Sequence, residues 1–289
     1  TIVPTSVGNT QRQLMVMQDF GVTVICCTPS YFTYLMEKAI ESDLDFKKIS
    51  LRVGIFGAEP WSAEMRRHIE TEAGISAHDI YGLSEISGPG VSINCGHGDG
   101  LHIFEDNFYP EIIDPDTGET LPDGQLGELV FTTINKYGMP MIRYRTRDLS
   151  RLITERCSCG RTIRRMERIL LQCVASCYHA APALFDDFIT FPPVFPSQIE
   201  SALLSVEGVQ PHYNIILFTE HGLDQIEVAV EITRELFNDQ VRKMEKLQQT
   251  ITNSIEHIIG LRVRVKLVAP QTIQRSEGKA RRVIDRRER

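Results

Sequence analysis

Three short apolar runs, Val22 to Cys27, Leu51 to Phe56 and Ala77 to Tyr81, alternate with two stretches of helical periodicity, Tyr31 to Ile40 and Ser62 to Thr71. Buried strands separated by helices read as a βαβ sheet, which leaves few other ways for this part of the chain to fold. Ser62 is a predicted N-cap, with Glu64 in the first turn and Met65 and Ile69 four apart on one face. Gly57 and Gly82 stand just beyond the second and third strands. In open parallel sheets the ligand crevice lies outside the carboxyl ends of the strands, so Gly57, Ala58, Glu59 and Pro60 are expected to face one cleft together with the run Asp79, Ile80, Tyr81, Gly82, Leu83, Ser84, Glu85. In that run Tyr81 offers a stacking surface and Gly82 opens the main chain. Ser84 and Glu85 supply the oxygen ligands that phosphate-bound Mg²⁺ prefers. A Tyr-Gly pair that closes a buried strand is also the pattern of an ordinary turn.

From Leu101 the rhythm changes to strands punctuated by turn residues: Leu101 to Glu105, Tyr109 to Ile113, Gly127 to Ile134 and Met141 to Ile153. This predicts an antiparallel meander or small barrel. Beyond Pro196 a small α+β unit is expected, with a helix from Ser197 to Val206, strands Tyr213 to Thr219 and Gln225 to Ile232, a long helix Arg234 to Ile259 and a strand Leu261 to Val268. Gly260 is the predicted helix stop. The domains are therefore drawn at 1–170 and 194–289. Between them, 171–193 is rich in Cys, Ala, Phe and Pro and fits neither pattern, being too apolar for a flexible linker.

The chain has 289 residues and a formal net charge of −7, which gives no general reason to expect a nucleic-acid partner; the basic segment Arg275 to Arg289 reads as a solvated end. No apolar run approaches the roughly 20 residues of a bilayer span, and no signal-peptide pattern is present, so a cytoplasmic protein is expected. Seven cysteines, two of them the neighbours Cys26 and Cys27, make a poor disulfide framework and are expected to be reduced. The chain opens on Thr1 and enters patterned sequence at once, from which an absent upstream segment is expected.

Cys95 and His97, with Cys157 and Cys159, form two close pairs whose three thiolates and one imidazole suit a structural Zn²⁺ site; the competing reading is four ordinary loop residues. His68, His78 and His102 have no spacing that argues for a triad and are read as structural. Cys173, Cys177 and His179 are a weaker metal candidate.

The stretches "GVTVICCTPSY", "GIFGAEPWS", "DIYGLSEISGPG", "DGLHIFEDNFYPEIIDPDTGE", "MPMIRYRTRDL", "VFPSQIE" and "RSEGKARRVID" occur in an order that resembles the adenylate-forming ligases, in particular their phenylacetate–coenzyme A ligase branch, over about 1–170 and 194–289. The resemblance implies an α/β fold: the carboxyl-side part of a ligase large domain, a βαβ sheet with an antiparallel barrel-like portion, followed by a small mobile α+β domain. It implies joining of a carboxylic acid, most closely phenylacetate, to coenzyme A through an acyl-adenylate formed from ATP, and a homodimer. Carried over by residue, Gly57, Ala58, Glu59 and Pro60 would line the adenine slot, with Asp79 and Ile80 beside it and Tyr81 stacked on the base. Ser84 would meet phosphate and Glu85 would hold Mg²⁺. Asp148 would accept from the ribose hydroxyls, its alternative being an ion pair with a neighbouring arginine. Lys279 would be the catalytic lysine that stabilises charge as carboxylate attacks the α-phosphate. Ile80, Gly82, Ile86 and Pro89 would line the acid pocket.

Two departures from the family pattern stand out. A Ser/Thr/Gly-rich phosphate loop is not found, since Thr5 to Thr10 is no convincing substitute, and the interdomain hinge is replaced by Leu171 to Pro193. A gene-level replacement such as a shifted reading frame would account for the second. A chain so altered would be an impaired ligase, a ligase for another aromatic acid, or a non-catalytic nucleotide-binding or zinc-stabilised interaction module.

Overall fold

The computed structural model describes residues 1–5, 9–169, 171–172, 194, 196–220, 223–237, 241–276, 278 and 280–287. The predicted segment 171–193 and its cysteines therefore lie almost wholly outside the described residues, as does Lys279.

The chain begins with α1 (Thr10–Asp19), β1 (Val24–Cys27), α2 (Pro29–Glu41), β2 (Val53–Gly57), α3 (Ala63–Ala73) and β3 (Ser76–Tyr81). The three strands are parallel, with Val24 opposite Val53 and Val53 opposite Ser76, as the alternation predicts. Both helices start where their caps dictate. The Thr28 hydroxyl accepts from Tyr31 N and Pro29 occupies the first turn of α2, while Ser62 accepts from Met65 N at the head of α3. One sheet face, with Ile25, Phe56 and Ala77, packs on Phe32, Leu35, Met65 and Ile69. The other carries Val24, 45% exposed, and the half-buried Val53 and Ile55. Helix α1 was not anticipated. Its only buried apolar side chains are Leu14 and Met17, too few among glutamines to give a helical stripe, and Asn9 caps it.

There follow β4 (Ser92–Ile93), β5 (Leu101–Ile103), β6 (Phe108–Ile113), β7 (Gly127–Thr133), β8 (Tyr144–Ser150), β9 (Leu152–Ile153), β10 (Arg165–Met166) and β11 (Leu171–Gln172). The first sheet continues antiparallel beyond β3 in the order β4, β5, β10, β9, and the expected meander is a second sheet ordered β11, β8, β7, β6. The single strand predicted over Met141 to Ile153 divides at Arg151, so that β8 and β9 join different sheets. Phe108, Leu129, Phe131, Ile103 and Met166 form the core between these sheets.

The carboxyl-terminal unit comprises α4 (Pro196–Leu204), β12 (Val209–Glu220), β13 (Leu223–Ile232), α5 (Arg234–Phe237), α6 (Val241–Ile259), β14 (Arg264–Val268) and β15 (Val283–Asp285). Its sheet runs β14, β13, β12, β15, and Ile199, Leu203, Ile251 and Ile255 cover it with Ile215 and Val228. The long predicted helix is assigned as α5 and α6, and Gly260 follows with φ 72° as the stop. Among the described residues no helix is long and apolar enough to cross a membrane.

Candidate functional site

Strand β3 delivers Tyr81 to the junction of the two large-unit sheets. Its hydroxyl donates to Asp148 Oδ2 at 2.6 Å, and its ring packs against Phe131 with centroids 6.4 Å apart. Burial, followed by the negative charge of Asp148, pushes the phenol far above its ordinary range, so it remains a donor. Asp148 is 7% exposed on β8. A register shift between Glu128 and Val130 accompanies a left-handed Arg147, φ 66°, immediately before it. Arg145 pairs with the fully buried Glu128, and Arg147 lies 3.9 Å from the same carboxylate. Asp148 Oδ2 faces the tyrosine.

The turn after β2 is shaped by close approach and strain. A side chain at Gly57 would collide with the Ile80 carbonyl of the neighbouring strand, and Ala58 adopts φ 66°, a left-handed conformation costly for a residue with a Cβ. Ala58 and Pro60 are exposed. Glu59 is half-buried with both oxygens engaged: Oε1 accepts from Ser30 N at 2.7 Å and from the Ser30 hydroxyl, and Oε2 accepts from Ala280 N at 3.0 Å. On the other side of position 279, Thr28 Oγ1 donates to the Gly278 carbonyl at 3.1 Å. The turn thus meets the carboxyl-terminal unit directly.

Ser84 and Glu85 are exposed on the loop after β3, where Lys136 Nζ donates to the Glu85 carbonyl at 2.5 Å. At Gly82 the space a side chain would take holds the Pro89 carbonyl of its own loop. One sequence assignment is corrected here. Ile86 is fully buried in the core with Val91, Leu101 and Ile103, so it anchors the loop and cannot line an open pocket. Asp79 has both carboxylate oxygens engaged: Trp61 Nε1 donates to Oδ1 at 3.1 Å and Arg168 lies 3.4 Å from Oδ2, while burial raises the carboxyl above its usual range. Ile80 is half-buried on β3, and Pro89 is exposed on the loop that follows.

The second cluster lies at the far end of the first sheet. Cys95, His102, Cys157 and Cys159 bring four ligand atoms within 4.8 Å of one another. Cys95 Sγ is 3.6 Å from Cys157 Sγ, and Cys159 Sγ is 3.3 Å from His102 Nε2. Ligands of a tetrahedral Zn²⁺ with bonds of 2.0–2.3 Å stand about 3.5–3.8 Å apart, close to these separations. The imidazole in the group is His102, not His97. His97 is exposed on the loop, where its carbonyl accepts from Ser158 Oγ at 2.7 Å. His102 is fixed by β5, opposite Ile93 of β4 and Arg165 of β10. Asn94 shapes the intervening loop by donating to the Gly98 and Gly100 carbonyls and accepting from Gly96 N. A hydrogen bond from the Arg161 main chain leads the effects that bring the Cys159 thiol down to about 7.

Residues 1–136 match the model of the AMP-binding enzyme family, and residues 193–287 match that of the AMP-binding enzyme C-terminal domain. The chain belongs to the AMP-binding enzymes. It is 43% identical to the phenylacetate-coenzyme A ligase of Pseudomonas putida over 99% of this chain and 63% of that protein, and 41% identical to the Thermus thermophilus enzyme of the same name over 99% and 65%. The chain therefore spans just under two thirds of the length of these curated relatives. In structure it resembles 2-hydroxyisobutyryl-CoA ligase in the postadenylation state in complex with R3-HIB-AMP, with TM-score 0.85 and 27% identity over 98% of this chain and 58% of that one. Against the same ligase in the thioesterification state with 2-HIB-AMP and CoA, the TM-score is 0.56, at 27% identity over 99% and 58%.

The sequence reading missed Glu37, His212, Glu200 and Arg275. Arg275 is no solvated tail residue: its guanidinium bonds to Glu37 of α2 and Glu231 of β13. Glu200 accepts from Ser62 N at 2.9 Å. Glu37, an acid beside the buried Met36 and Ala39, was the available signal for the first of these contacts.

Proposed function

We propose that the chain forms the base-facing and ribose-facing side of a ligase that activates an aryl acid, phenylacetate foremost, with ATP and passes the acyl group from its adenylate to coenzyme A. The observation that carries the reading is the 2.6 Å bond between Tyr81 and Asp148. It fixes an aromatic face and an acceptor-only carboxylate side by side, as a nucleoside's base and ribose hydroxyls require.

In this reading the nucleotide lies between Tyr81 and the turn Gly57 to Pro60, and Asp148 accepts from the ribose. Gly57 serves by allowing the strands to close, and Glu59 by holding the turn to α2 and to Ala280. Ser84 meets phosphate from the exposed loop. Glu85 is the carboxylate offered to Mg²⁺, which when bound neutralises charge on the phosphates. Lys279, outside the described residues, follows Gly278 and precedes Ala280, both bonded to the large unit beside the base turn. Its ammonium would stabilise the charge that develops as the carboxylate attacks phosphorus. The similarity to a ligase in its postadenylation state supports an arrangement of the two units suited to this first half-reaction.

Cys95, His102, Cys157 and Cys159 would hold a structural Zn²⁺, with all four positions filled by protein and none left for water. The metal would tie the loop after β4 to the hairpin between β9 and β10.

The test is acid-dependent exchange of pyrophosphate into ATP, run with phenylacetate and a panel of aromatic acids, alongside equilibrium AMP binding. Exchange that depends on an aryl acid supports the ligase. AMP binding without exchange for any acid replaces it with a non-catalytic nucleotide-binding module.

A further inference from the structure

The exposed loop that carries Ser84 and Glu85 is fastened within its own length. Ile86, fully buried, plugs it into the core, and Ser87 N donates to the Leu83 carbonyl at 3.2 Å, which closes a single turn around Glu85. A third fastening comes from elsewhere: Lys136 Nζ donates to the Glu85 carbonyl at 2.5 Å, across 51 positions of sequence. Main-chain carbonyls of exposed turns are readily satisfied by water, so the turn does not need an ammonium for its own sake.

Lys136 is half-buried and is itself held in place. Just before it, Ile134 N donates to the Asn107 carbonyl at 2.8 Å and the Asn135 side chain donates to the Asp106 carbonyl at 2.7 Å. Just after it, the connection from β7 to β8 is closed by Thr133 N donating to the Met141 carbonyl and Met141 N donating to Thr133 Oγ1. The lysine therefore reaches Glu85 from a connection pinned at both ends.

The choice of acceptor matters. Lys136 takes the main-chain oxygen of Glu85, and among the described residues the carboxylate of Glu85 has no ion-pair partner. The same edge is acidic: burial, and then the charges of Glu85 and Asp148, raise the phenol of Tyr144 on β8. An ammonium has three donors, of which the Glu85 carbonyl takes one. Lys136 thus fixes the backbone of an acidic residue and leaves its carboxylate available. A carboxylate that shares a divalent cation with a polyphosphate binds best when its main chain is already ordered, because ordering a loop counts against binding.

We propose that Lys136 is a positioning residue for metal-bound phosphates, acting through the Glu85 carbonyl to hold the Ser84–Glu85 loop in register. The phosphate role rests on the ligase reading above; the tether itself does not.

The experiment uses Lys136→Met, which keeps an unbranched stem and removes the ammonium, and Lys136→Arg, which restores a donor. Amide hydrogen exchange at Ser87 reads the loop, and equilibrium titrations with AMP and with ATP plus Mg²⁺ read the site. Lys136→Met should speed exchange at Ser87 about three- to tenfold while the β6–β7 amides stay protected. It should weaken ATP binding in Mg²⁺ by a similar factor and AMP binding less than about twofold, since AMP lacks the β- and γ-phosphates that chelate the ion. Lys136→Arg should recover most of both losses. Unchanged exchange at Ser87 in Lys136→Met overturns the tether. Faster exchange with equal weakening of AMP and ATP overturns the phosphate role. If the parent chain binds neither nucleotide, the ligase reading fails and the phosphate role with it, while the exchange result still decides the tether.

Discussion

Tyr81 and Asp148 stand 67 positions apart in sequence and share a 2.6 Å hydrogen bond at the seam between a mixed and an antiparallel sheet. Removing the phenol oxygen deletes one donor to a charged acceptor, worth about 1.5–3 kcal/mol, while Asp148→Asn also removes the charge that, in the proposed function, would accept from ribose. Tyr81→Phe is expected to weaken AMP binding by about tenfold and Asp148→Asn by more, measured by titration calorimetry. Because burial and the neighbouring carboxylate hold the phenol protonated, the Tyr81 contribution should not change up to pH 9.

Zinc content separates two histidines five residues apart. One equivalent per chain is expected in the protein as purified. His102→Gln and Cys157→Ser should abolish it, and His97→Gln should leave it intact, because among the described residues the histidine that stands with the three thiols is His102. Metal analysis checks this, and chelation should lower the melting temperature of the parent but not of His102→Gln. Retention of zinc by His102→Gln together with loss in His97→Gln would restore the spacing-based assignment.

The same pair of histidines shows what sequence could and could not carry. Alternating apolar runs pointed to the strands β1, β2, β3 and to the cap Ser62, since those depend on neighbours along the chain. The three cysteines were also legible, because thiols at short spacing have few other uses. The imidazole was not, since its place is set by pairing of β5 with β4 and β10, which no local spacing encodes. Ile86 was misassigned for a related reason. Its position in a motif matched a pocket, but a loop that folds back on itself uses it for its own packing. Arg275 looked like surface because its partners, Glu37 and Glu231, are 238 and 44 residues away.

Glu37 makes the boundary between the units sensitive to acid. Burial alone would raise its carboxyl, but hydrogen bonds from His212 and Arg275, and their charge, outweigh it and bring the group down to about 2; Glu231 faces the same guanidinium from β13. A carboxyl held below its ordinary value adds stability above that ordinary range and loses it as pH falls toward 2. The melting temperature of the parent should exceed that of Glu37→Gln at pH 7, and the gap should close progressively between about pH 4 and pH 2. A gap that is constant across this series would show that the charge on Glu37 contributes nothing to holding the units together.

Ala58 offers the converse case, a residue whose backbone works against stability. At φ 66° its Cβ crowds the main chain, and a left-handed alanine costs about 1 kcal/mol relative to glycine. The strain sits in the turn between β2 and α3, held by Glu59 on one side and by the close strand contact at Gly57 on the other. Ala58→Gly should therefore raise the free energy of unfolding slightly, by about 0.5 kcal/mol, net of the greater entropy of glycine in the unfolded chain. Ala58→Val should lower it by more than 1 kcal/mol, because a branched Cβ fits this conformation poorly, on the order given for such strain. Urea titrations measure both. If the strain is there to present the turn to a nucleotide, the glycine variant will be more stable and yet bind AMP less tightly, since the relaxed turn must be ordered again on binding. A glycine variant that gains stability and keeps its full affinity would make the strain a by-product of strand packing at Gly57.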